Sequence, residues 1–71
     1  MKVIIYDETA PKKEILFESK IDKFVVNSHG TTDFVLNDKI VLSLEWSPGR
    51  QYVDYVMYGK QLAYVSVVWN G

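Results

Sequence analysis

The chain contains no cysteine, which excludes disulfides, thiolate zinc sites, iron–sulfur clusters and cysteine nucleophiles together. It has two prolines and four isolated glycines, so there is neither a linker-like stretch nor a glycine-rich phosphate loop. It has one histidine, His29. No apolar run approaches the ~20 residues that a membrane-spanning helix needs. Met1-Lys2-Val3 opens a strand-like segment rather than a signal peptide. With the missing cysteines, this gives the expectation of a cytoplasmic protein without membrane attachment. A net charge of −1 and a pI near 5.7 give little general attraction for polyanions. At 71 residues the expectation is one domain, 1–71. A chain of this size buries roughly 60% of its unfolded surface, so tight packing or self-association must replace the usual staples.

What is present leans to strand. Ten Val and five Ile stand against five Leu and two Ala, and branching at Cβ suits a pleated surface better than a helix. From Lys39 to Trp46, the residues Ile40, Leu42, Leu44 and Trp46 alternate with Lys39, Val41, Ser43 and Glu45, a period of two. Ser47-Pro48-Gly49-Arg50 ends that run as a turn. Gln51 to Tyr58 and Gln61 to Trp69 follow as strands around a two-residue Gly59-Lys60 turn, where glycine in first place fits type II′. Thr31 to Leu36 reads as the partner of the Lys39 strand. A three-residue Asn37-Asp38-Lys39 loop sets Leu36 against Ile40 and Phe34 against Leu42, whereas a two-residue loop would set Asp33 against Leu42.

The first third is more ambiguous. Val3 to Tyr6 is a strand. Residues Glu14 to Asn27 read as two strands, with Ile15 and Phe17 on one face and a turn near Ser19-Lys20. The alternative is a short helix within 10–26, clustering Phe17, Ile21, Phe24 and Val25. That helix would put Glu14 on its apolar face, so strands are preferred. The fold class is therefore mainly β: a small antiparallel meander of six to seven strands, forming a barrel or a strongly bent sheet. It has the size of SH3-like or OB-like barrels, and no motif selects either.

Catalytic constellations are weak. His29 neighbours Ser28, with Asp22 or Asp33 as orienting carboxylates, but the turn Asn27-Ser28-His29-Gly30 offers no oxyanion hole. Glu14 and Glu18 make a carboxylate pair without room for a cleft. Asp33, Asn37 and Asp38 match no calcium loop, and turn chemistry accounts for Asn37-Asp38. The expectation is a non-enzyme without cofactor or metal.

The terminal hairpin is where the sequence is unusual. One face holds Val53, Tyr55, Met57, Leu62, Tyr64, Ser66 and Val68. The other holds Tyr52, Asp54, Val56, Tyr58, Ala63, Val65, Val67 and Trp69. Neither face is polar, although an antiparallel hairpin normally shows one to water. From Lys39 onward five residues are charged, against twelve in the first 38. That half is either central in the fold or covered by something else. Tyrosine gives a large rigid contact with a polar tip, so Tyr52, Tyr55, Tyr58, Tyr64 and Trp69, flanked by Arg50 and Lys60, are the candidate partner-binding residues. The expected function is protein–protein interaction, with a partner or as a homodimer. By type, such a chain is similar to small accessory proteins of bacteria and their phages, inhibitors included. The alternative is a β-barrel that stacks single-stranded nucleic acid on these rings. It draws thin electrostatic support, because Arg50, Lys60 and Lys39 leave the C-terminal half at +1.

Overall fold

The computed structural model describes residues 1–9, 11, 13–46 and 53–69, with backbone alone at 53 and 54. Among the described residues seven strands form: β1 (Lys2–Asp7), β2 (Ile15–Lys20), β3 (Lys23–Val26), β4 (Thr32–Leu36), β5 (Lys39–Leu44), β6 (Val53–Tyr58) and β7 (Gln61–Val68). There is no helix among the described residues, so 15–26 folds as two strands and the helical alternative falls away. The bend between those strands lies at Ile21 and Asp22 rather than at Ser19-Lys20. Ile21 is buried there, and its N–H donates to the Met1 carbonyl at 2.9 Å. Among the described residues no helix is long and apolar enough to cross a membrane.

The strands make two antiparallel sheets, ordered β2-β1-β7-β6 and β3-β4-β5, rather than a closed barrel. Nor is the order a simple meander, because β1 inserts between β2 and β7. The reason lies in the side chains. Val3, Ile4 and Ile5 are all buried, which an edge strand open to water would not achieve. Val3 and Ile5 point to the core across from Val67 and Val65. They meet Phe34, Leu44 and Trp46 of the other sheet's side, with Ile21, Val56 and Ala63 completing the cluster. Trp46 stacks on Phe34 at 5.5 Å between centroids, and the Thr32 hydroxyl donates to the Trp46 carbonyl.

Two bulges depart from the alternation read in the sequence. On β2, Ile5 faces Phe17 but Tyr6 faces Ile15, so Leu16 is an extra residue. On β5, Val35 faces Ile40 but Phe34 faces Leu42, so Val41 is extra. In both places the extra residue packs against the core and the next isoleucine turns out, leaving Ile15 53% and Ile40 61% exposed. The β4–β5 loop is accordingly two residues, not three. Leu36 pairs with Lys39, and Asn37 and Asp38 both take positive φ, 53° and 62°, as a type I′ turn requires. The bulge restores the Phe34–Leu42 pairing that the longer loop was meant to secure. At the terminal hairpin Gly59 has φ of +64°, and Lys60 is not among the described positive-φ residues, as type II′ requires. The proposed Ser47–Arg50 turn lies outside the described residues.

Candidate protein-interaction face

The β6–β7 register assigns the two hairpin faces. Val56, Ala63, Val65 and Val67 are buried, so the face carrying Tyr58 turns inward, and Tyr58 is half-buried against the core. Tyr55, Met57, Leu62 and Tyr64 lie on the other side, on the outer surface of the four-stranded sheet. Pairing across the sheet aligns Ile15, Tyr6, Tyr64 and Tyr55 in one row, one residue from each of its four strands. Tyr6 and Tyr64 stack at 4.8 Å with 21° between their planes, and Tyr55 meets Tyr64 edge-on at 6.3 Å. Such pairs fix ring orientation as well as adding contact. Tyr55 within the row and Met57 and Leu62 beside it are 61%, 62% and 43% exposed.

Lys13 closes over this row, its Nζ 5.9 Å from the Tyr6 centroid and 5.3 Å from that of Tyr64. A hydrogen bond with the Tyr64 phenol, followed by that phenol's charge when ionised, holds the Lys13 pKa above its ordinary 10.5. Farther along the same face Ile4 is buried opposite Glu18 and Ser66, yet it stands outside the core cluster. Charge enters at the far end, where Lys2 pairs with Glu18 at 2.9 Å and Lys20 lies opposite Lys2.

The structure thus brings together two of the residues singled out in the sequence, Tyr55 and Tyr64. Trp69 is half-exposed with its ring 5.9 Å from Phe24, and Lys60 is exposed at the hairpin turn. Tyr52 and Arg50 lie outside the described residues. Tyr6, Lys13 and Ile15 were missed. Tyr6 joins the face through the β1–β7 pairing, Ile15 through the Leu16 bulge and Lys13 through its reach over the two rings, and none of the three has a local signature. The signal that was available is the apolar run Val3-Ile4-Ile5, whose lack of alternation marks a strand flanked on both sides.

The polar residues considered for catalysis are arranged otherwise. His29 Nε2 lies 2.9 Å from the Thr31 hydroxyl, in an exposed turn. The Asp33 carboxylate accepts from Ser43 Oγ at 2.6 Å and from Asn27 Nδ2 at 3.0 Å, and both bonds hold its pKa below the usual value. Asp22 accepts the Asn37 backbone N–H at 2.8 Å, bracing the β4–β5 turn. Asp22 and Asp33 thus each have a structural partner, and the His29 charge adds a smaller pull on Asp33. No group of three or more His, Cys, Asp or Glu side chains close enough to hold a metal occurs among the described residues. Comparison with protein-family models, curated proteins and solved structures yielded no match.

Proposed function

We propose that the protein is a non-enzymatic interaction module that associates through the outer face of its four-stranded sheet, with a second copy of the chain as the first occupant. The observation that carries this is the exposed cluster of Tyr55, Met57, Leu62 and Ile15 around the stacked Tyr6 and Tyr64. Four strands about 4.8 Å apart and six residues long span roughly 400 Å². The whole face is thus within the size of patch that marks contact sites on small proteins, with its aromatic end apolar and Lys2, Glu18 and Lys20 charging the other. It is about half of the ~800 Å² per partner in a standard interface, so the pairing is weak and concentration-dependent. An inhibitor or accessory role would use the same face against another protein.

Nucleic-acid binding has less support. A base needs a free ring face, and Tyr6 and Tyr64 already cover each other beneath Lys13. The test is analytical ultracentrifugation of the wild type and of Tyr55→Ala and Tyr64→Ala, with thermal melts alongside. Weakened association with a retained cooperative melt is expected. Loss of fold in step with association would assign these rings to structure alone. Binding of a single-stranded oligonucleotide at low salt, weakening steeply as salt rises, would favour the nucleic-acid reading.

A further inference from the structure

The two sheets part along one side of the molecule. β5 is hydrogen-bonded to β4 and β6 to β7, and neither has a second strand partner among the described residues. Residues of both edges line a single cleft of about 500 Å³, formed by Leu42, Ser43, Leu44, Glu45 and by 55–59. Leu42, Leu44, Val56 and Tyr58, which pack in or against the core, give it an apolar floor. An edge strand presents alternate N–H and C=O groups outward, and two such edges beside one cleft offer hydrogen bonds from both walls. Each residue of an added strand occupies roughly 160 Å³, from about 4.8 Å between strands, ~10 Å through the layer and ~3.3 Å of rise. The cleft therefore seats roughly three residues.

We propose that this cleft binds an extended segment of a partner protein as an added strand, with apolar side chains alternating with basic ones. The apolar residues would lie on the floor. The basic residues follow from Glu45, which carries the one charge among the described lining residues and has no ion pair among them. Strand addition of this kind draws affinity from main-chain bonds and selectivity from alternate side chains. The cleft is a separate site from the self-association face, although Tyr55 and Met57 border both.

The probe is the hexapeptide Ac-KVKVKV-NH2, titrated into isotope-labelled protein, with Ac-EVEVEV-NH2 as its charge-reversed counterpart. The basic peptide is expected to shift the β5 and β6 amides and slow their hydrogen exchange. Glu45→Lys, at an exposed position, is expected to weaken that binding about five- to tenfold and to make the acidic peptide the better ligand. Unchanged β5 and β6 amides would overturn the proposal, as would affinity indifferent to Glu45→Lys. Shifts confined to Ile15, Leu62 and Tyr64 would overturn it too, because the peptide would then occupy the outer face.

Discussion

Tyr64 sits at the centre of its row, against Tyr6 on one side and Tyr55 on the other, with Lys13 above. Each aromatic pair adds about 0.5–1.5 kcal/mol beyond area, so Tyr64→Ala costs more than Tyr55→Ala, which loses one pair at an exposed position. Neither approaches Phe34→Ala, which empties a fully buried site and costs about 3–5 kcal/mol. Urea denaturation of the three variants should rank them in that order. Asp33 supplies a test of the polar side. Its pKa lies below the ordinary 3.8 because Ser43 and then Asn27 donate to it. A lowered carboxylate stabilises the fold above pH 3.8, and that contribution is lost as pH falls through the folded value. Ser43→Ala should return the Asp33 titration toward 3.8 and flatten the acid limb of stability. An Asp33 titration by NMR that does not move would refute the assignment. Lys13 has the opposite sign: its raised pKa contributes below pH 10.5 and is lost as pH rises through the folded value.

At the level of elements, the turns and bulges set which face each strand shows. Asp38 holds a positive φ that strains an L-residue, so Asp38→Gly should stabilise by up to about 1 kcal/mol, the strain relieved less the extra chain entropy that glycine loses on folding. Gly59→Ala should destabilise by about 1–2 kcal/mol through the backbone alone, since an added Cβ at Gly59 meets nothing within 4 Å. Chemical denaturation of both checks the two turn types against each other. The strands themselves were legible in the sequence because β-branched residues alternate with polar ones and glycine punctuates them. The bulges were not. Reading Ile15 with Phe17 and Ile40 with Leu42 assumes an unbroken period of two, and one inserted residue, Leu16 or Val41, reverses the isoleucine beyond it. A bulge depends on what lies across the ladder, and no single strand carries that information.

For the molecule as a whole, the sequence located the unusual surface but not its orientation. The two-sided apolar hairpin was evident from composition, and the first of its suggested explanations, a central place in the fold, holds for one face alone. The inner face of β7 lies in the core, and the outer face stays open. Deciding between the faces required the non-local pairing of β1 with β7, which also brings Tyr6 and Lys13 to the site. A meander inferred from neighbouring strands cannot supply that pairing. The same topology leaves β5 and β6 as facing edges, so the barrel stays open and the cleft exists. The outer face and the cleft make separate demands: the first responds to protein concentration, the second to an added strand. The most direct test of the central claim is an amide-resolved NMR spectrum of the wild-type protein, recorded from low micromolar to millimolar concentration. Self-association through the outer face predicts concentration-dependent shifts gathered at Tyr6, Ile15, Tyr55, Met57, Leu62 and Tyr64. A spectrum that does not change, or changes gathered on β3 to β5, would contradict it.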